Sequence, residues 1–240
     1  MFDWLNQLWK RFLDWVDYRT GALQLVREQF VEYRLPPKLN KWYSLGGLCL
    51  FIFVMQIVTG VLLMLYYVPS TELAFQSIER IMMDIPYGWL VRLSHALGSQ
   101  MMVFMVMLHL VSVVFMGAYK KPRELTWLSG ALLLFLTLGI CFTGYLLPWS
   151  QLSYWATTVA TKIPEPLPWV GPFIVKLIRG GDNITPDTLN RFFTLHVIVI
   201  PAVMLALVGF HLLLVRLLGI SDPEEPVTPE EKPYVPETEI

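Results

Sequence analysis

Only two cysteines, Cys49 and Cys141, occur in the 240 residues, and both lie inside long apolar stretches. A disulfide framework is therefore not expected. Charge is scarce too. Asp, Glu, Lys and Arg make up 15% of the chain and nearly cancel, leaving a net −1. That balance gives no electrostatic footprint for nucleic acid or an acidic ligand. The N-terminus lacks the short apolar core and small-residue cleavage site of a signal peptide. What the chain has instead is hydrophobicity, 55% of residues, gathered into long runs almost without charge. Such runs belong in a bilayer.

Four stretches are long enough to span: about 42–67, 89–118, 125–147 and 192–220. Residues 1–41 are amphipathic, with Trp4, Leu5, Leu8, Trp9, Phe12, Leu13 and Val16 at helical spacing. This suits a helix lying in the headgroup region, or one docked on another subunit. Arg34-Leu-Pro-Pro37 then turns the chain towards the bilayer. Residues 68–90 read as an acidic connection. Residues 150–191, cut by Pro164, Pro166, Pro168, Pro172 and Gly180-Gly181, read as short surface helices. Residues 221–240 form an acidic, proline-rich tail expected to be disordered. The expected fold is an all-α membrane protein, a four-transmembrane-helix bundle over 42–220 with an N-terminal interfacial helix.

All four histidines fall in two of the spans: His95 and His109, 14 apart, and His196 and His211, 15 apart. On an α-helix, 14 residues rise about 21 Å and return within about 40° of the same face; 15 residues rise about 22.5 Å and drift about 60°. Each helix thus presents two imidazoles the same way, one near each membrane surface. Neutral imidazole offers a lone pair to a metal, and two axial histidines saturate haem iron. The plainer alternative is a hydrogen bond to a neighbouring helix. Matched spacing of all four favours ligation, because intramembrane ionisable groups are costly. The separation of about 21 Å argues against a soluble metal cluster.

Four spans put both termini on one side. That side carries twelve Lys and Arg, against six on the other: Arg80, Arg92, Lys162, Lys176, Arg179 and Arg191. The positive-inside rule places both termini in the cytoplasm, and the membrane is expected to be the bacterial inner membrane. His95 then pairs with His196 at the outer side and His109 with His211 at the inner side. Gly46 and Gly60 are 14 apart, as are Gly130 and Gly144. Without Cβ atoms they let flat macrocycles, or simply a neighbouring helix, approach closely. Arg92 and Arg191 near the outer end are candidates for haem propionates, or snorkel to the interface. Arg216 does similar work inside, or meets a quinone.

Several motifs resemble the cytochrome b subunit of quinol-oxidising cytochrome bc complexes, most closely the cytochrome b6 type. They are Ser44-Leu-Gly-Gly47, Gln56-Ile-Val-Thr-Gly60, Arg92-Leu-Ser-His95, Lys120-Lys-Pro-Arg-Glu-Leu-Thr-Trp127, Thr143-Gly-Tyr-Leu-Leu-Pro-Trp149 and Arg191-Phe-Phe-Thr-Leu-His196. The 15-residue spacing of His196 and His211 is the b6-like one. The resemblance implies two haems b, a low-potential outer one on His95 and His196 and a higher-potential inner one on His109 and His211. It implies bifurcated quinol oxidation at the outer face: one electron leaves to an iron–sulfur protein, the other crosses both haems to reduce quinone inside, with proton translocation. Gly144, Tyr145, Leu147 and Pro148 are candidates for the outer quinol pocket, or form an interfacial turn anchored by Trp149.

The chain departs from the family pattern in three places. Ser44 stands where cytochrome b6 typically has the cysteine that anchors an extra haem, so no covalently attached haem is expected. Ser112 stands where an arginine is usual three residues after the inner ligand. No Pro-Glu-Trp-Tyr-type quinol motif follows the last span. The chain is therefore expected to be inactive alone. It would work in a dimeric complex with a subunit IV-like membrane protein, a Rieske iron–sulfur protein and a cytochrome c-type acceptor. Two rival classes remain open: a dihaem anchor of a dehydrogenase or hydrogenase, and a non-redox transporter using the histidines as a proton path.

Overall fold

The computed structural model describes residues 3–21, 23–24, 27 and 41–221. The chain divides into two compact units, Met1–Asn40 and Lys41–Ile240. In the first, α1 spans Asp3–Thr20 and bears a row of exposed aromatics: the rings of Trp9 and Phe12 are 5.6 Å apart and those of Phe12 and Trp15 6.4 Å. Asp17 closes the helix: its carbonyl accepts from the Gly21 N–H, and its carboxylate accepts from the N–H groups of Leu23 and Gln24. The expected break at Arg34–Pro37 and the tail beyond Ser221 lie outside the described residues.

The second unit begins with a 3₁₀ turn, Lys41–Ser44, and continues as α2 (Leu45–Met64), α3 (Ala74–Met83), α4 (Gly88–Phe115), α5 (Glu124–Leu146), α6 (Gln151–Lys162), α7 (Gly171–Arg179) and α8 (Pro186–Thr194). A π-helical turn, Leu195–Val199, then leads into α9 (Ile200–Leu218). Four segments, Lys41–Met64, Gly88–Phe115, Glu124–Leu146 and Pro186–Leu218, are long and apolar enough to cross a membrane. Their outward side chains, among them Phe51, Phe104, Phe135 and Leu213, stay exposed in the isolated chain, as suits a surface solvated by lipid. The last span starts six residues before the expected Phe192. Thr185-Pro186-Asp187-Thr188 makes a capping box with proline at the first helical position. The connection 68–90 contains a helix of its own, α3, which buries Ala74, Ser77 and Ile81.

The spans pack as two antiparallel pairs, α2 on α4 and α5 on α9. Between the two histidine levels lies a layer of buried side chains, one from each span: Phe53, Met102, Thr137 and Met204. Phe53, Met102 and Thr137 each sit seven residues from the glycines or histidines of their own helix. The π turn answers the unequal histidine spacing. Such a turn takes in one extra residue, so His196 and His211, 15 apart, regain the register of a 14-residue step. Pro201 favours it, because proline lacks an N–H and its ring clashes with the carbonyl four residues back, that of Val197.

The segment between α5 and α9 is knotted together by Arg179, which is 3% exposed. Its Nε donates to Thr161 Oγ1 (2.6 Å), Nη1 to the Asp182 carbonyl (2.9 Å) and Nη2 to the Thr158 carbonyl (2.7 Å). Thr188 Oγ1 in turn donates to the Arg179 carbonyl at 2.6 Å. Replacing it by methionine keeps the length and removes every donor. Arg179→Met should destabilise this segment by about 2–4 kcal/mol. Limited proteolysis between 151 and 190 should speed up while the spans stay protected; an unchanged cleavage rate would sink this assignment.

Candidate functional site

Each histidine lies against a glycine of its antiparallel neighbour. A Cβ built on Gly60 would stand 3.2 Å from His95 Cε1, one on Gly46 3.2 Å from His109, one on Gly130 3.2 Å from His211, and one on Gly144 2.5 Å from His196. Among the chain's own atoms, the contact that each glycine makes is thus with the imidazole. Bare backbone lets the ring approach closely.

Three of these rings have a defined tautomer. Thr59 Oγ1 spends its proton on the Met55 carbonyl (2.7 Å) and lies 2.9 Å from His95 Nδ1, so the imidazole must donate. Ser129 Oγ spends its proton on the Thr126 carbonyl (2.9 Å) and lies 2.9 Å from His211 Nδ1, with the same consequence. His196 Nδ1 meets the Ile140 carbonyl at 2.9 Å, an acceptor only, with Thr143 Oγ1 at 3.4 Å. All three rings therefore keep Nε2 as a free lone pair, the state a metal needs. His109 differs: its Nδ1 is buried and has no hydrogen-bond partner.

The His95 and His196 rings face each other at 6.2 Å between centroids. Two imidazoles sharing one iron through Nε2 hold their centres about 6 Å apart, from metal–nitrogen bonds of about 2 Å and about 1 Å from nitrogen to ring centre. His109 and His211 line a common cavity of about 320 Å³ with Gly46, Gly130, Arg123 and Trp127. Cofactor sites run from about 300 to 1,000 Å³. The residues present thus fit two bis-imidazole haem positions.

The cations are placed unequally. Arg92, one turn before His95, lies within electrostatic range of that ring. Arg191 Nη1 donates to the Leu177 carbonyl at 2.8 Å and packs on Gly180, so it caps α7. Arg216 lies in the last turn of α9 and is not among the residues that line the cavity. Arg123, which sequence reasoning passed over, does line it. Its guanidinium donates to the carbonyls of Gly219 (3.3 Å) and Ile220 (3.4 Å), and burial pulls its pKa below the ordinary arginine value. Its place in the basic loop before the second histidine-facing glycine helix was the available signal.

The turn after α5 is firmly held. Tyr67 Oη donates to the Leu147 carbonyl at 2.7 Å, and burial pushes the Tyr67 hydroxyl above its usual pKa, keeping it a neutral donor. Leu146 is fully buried with Ala74, Leu189 and Phe192, whereas Tyr145 is half exposed. Trp149 takes φ +49° and stacks edge-on against Tyr154, and Ser150 caps α6 in a reciprocal box with Ser153. Gly144 belongs to the His196 seat; Tyr145, Leu147 and Pro148 frame the adjoining surface.

Four candidate membrane spans in a bundle that is helical throughout its described residues, with all four histidines inside two of them, define an integral membrane protein. Known proteins agree. The family model described as cytochrome b/b6/petB matches residues 30–219. The chain is 40% identical over 212 residues to cytochrome b6 of Heliobacterium modesticaldum, covering 88% of this chain and 100% of that one. It is 45% identical over 211 residues to the cytochrome bc complex cytochrome b subunit of Chlorobaculum thiosulfatiphilum, covering 87% of this chain but 49% of that one. It thus spans the full length of the first relative and about half of the second. A chain of a solved hyperthermophilic respiratory Complex III superposes with a TM-score of 0.84 at 42% identity, covering 92% of this chain and 58% of that one. The chain belongs to the cytochrome b/b6 family, whose members bind haem b.

The glycine seats differ in tightness, which sets a graded test. Gly60→Ala must displace the imidazole by a few tenths of an ångström, while Gly144→Ala drives a methyl into His196. Overpacking should cost about 1 kcal/mol at Gly60 and about 3 kcal/mol at Gly144. Haem content by pyridine haemochrome should accordingly fall far more in Gly144→Ala. Equal retention in both variants would contradict the seat geometry.

Proposed function

We propose that this chain is the haem b-carrying subunit of a membrane quinol:cytochrome c (or similar acceptor) oxidoreductase, with one haem b between His95 and His196 and a second between His109 and His211. The observation that carries this reading is the enforced Nδ1–H form of three glycine-seated imidazoles, which aims a free Nε2 into each pair. When bound, the two haems supply one-electron centres that link quinol oxidation at the outer face to quinone reduction at the inner face.

The chain's own residues do the holding. Thr59, Ser129 and the Ile140 carbonyl fix ring orientation and tautomer. The layer of Phe53, Met102, Thr137 and Met204 keeps the two positions apart and dry. Arg92 offers a cation to the outer propionates, and Arg123 to the inner ones in place of the arginine absent at Ser112. Gly144, Tyr145, Leu147 and Pro148 form one wall of an outer quinol pocket. A quinol pocket also needs a carboxylate to take a proton. In this reading a subunit IV-like partner brings it, with a Rieske protein and a cytochrome c-type acceptor completing a dimeric complex. Residues 1–41 lie at the membrane interface, 42–220 hold the cofactors and 221–240 form an acidic tail. Both termini face the cytoplasm in a bacterial inner membrane.

Redox-resolved spectra test the pairing. His196→Leu should abolish the low-spin signal of the lower-potential haem and leave the other. Survival of both bis-histidine signals would refute it. Because Ser44 stands at the anchoring position, a denaturing gel stained for haem peroxidase activity should be blank at this chain's mass. A stained band would show that Cys49 or Cys141 carries a thioether.

A further inference from the structure

Three of the four glycine seats are built alike. A hydroxyl residue precedes the glycine, and the carbonyl four residues back meets the same ring: Thr59 and Gln56 for His95, Ser129 and Thr126 for His211, Thr143 and Ile140 for His196. In each case the glycine, lacking a Cβ, uncovers that carbonyl. The Gly46 seat departs at both positions. Leu45, buried at 9% exposure, takes the place of the hydroxyl residue. Trp42, four residues back, lies in the 3₁₀ turn Lys41–Ser44 and not in the α-helix that carries Gly46. His109 Nδ1 is accordingly the one of the four left without a partner.

A hydrogen bond from Nδ1–H pushes electron density onto Nε2 and strengthens it as a ligand to ferric iron; losing that bond favours the ferrous state. We propose that Leu45 is a potential-setting residue: by withholding the hydroxyl that the other three seats supply, it leaves His109 the weakest electron donor and raises the potential of the haem it shares with His211. The proposal rests on the dihaem reading above and names the residue that makes the two positions unequal. The His95/His196 pair has both Nδ1 atoms engaged; the His109/His211 pair has one.

The test compares Leu45→Thr with Leu45→Val in the assembled complex, since valine and threonine share a shape and only threonine carries the hydroxyl. Optical redox titration should show the inner haem shifted to lower potential in Leu45→Thr relative to Leu45→Val, with the outer haem unmoved in both. The converse variant, Thr59→Val, removes the hydroxyl from His95 and should raise the outer haem's potential. It decides the matter alone if Leu45→Thr fails to assemble. Equal inner potentials in the two Leu45 variants, or an unmoved outer potential in Thr59→Val, would overturn the role of Leu45 while leaving the dihaem reading intact. A complex whose unaltered chain carries no haem would overturn that reading and this proposal together.

Discussion

Everything in the bundle depends on an imidazole resting on bare backbone. To aim Nε2 at a partner across the bundle, each ring must turn its other edge into the neighbouring helix, and a Cβ there would collide with it. The glycines at 46, 60, 130 and 144 remove that collision, and those at 60, 130 and 144 uncover a backbone carbonyl at the same time. Because paired helices run antiparallel, glycine spacing on one must equal histidine spacing on the other. On α2 and α4 both are 14. On α5 and α9 the glycines are 14 apart and the histidines 15, and the single surplus residue is taken up by the π turn beside His196. Backbone irregularity and side-chain register are two sides of one requirement.

The spans, their order and the identity of the four ligand candidates were legible because each has a strong one-dimensional signature: uncharged runs longer than the hydrocarbon layer, and histidines nowhere else. The 3.6-residue period could reveal that glycines and histidines share a spacing. It could not say that each glycine also meets an imidazole of the neighbouring helix, since period carries no information about which neighbour a face meets. The π turn was hidden for a similar reason. A regular helix assumed from end to end turns the extra residue into a drift of about 60° instead of a bulge. The start of α8 and the whole of α3 were readable from caps and amphipathic spacing, but acidic residues made 68–90 read as a plain connection, and 150–191 read as surface helices that end before the span.

Arg179 and Arg123 show why charges were the least legible part. By sequence both are cations at the edges of apolar segments, indistinguishable from Arg92, Arg191 or Arg216. In three dimensions Arg179 is buried on neutral acceptors and knits α6, α7 and the approach to α8, while Arg191 spends a donor on the end of α7. Arg123 alone opens onto the cavity of His109 and His211, where it also ties the end of α9 through two carbonyls. A carboxylate ligand entering that cavity would therefore meet a guanidinium already held in place and partly desolvated, a condition under which charge-assisted hydrogen bonds gain most. Ser112, at 4% exposure, returns its hydroxyl to the His109 carbonyl and offers the cavity no charge. The cation on that side thus comes from the loop preceding α5 and not from the helix that carries His109, so the positive charge and the imidazole are set by separate elements.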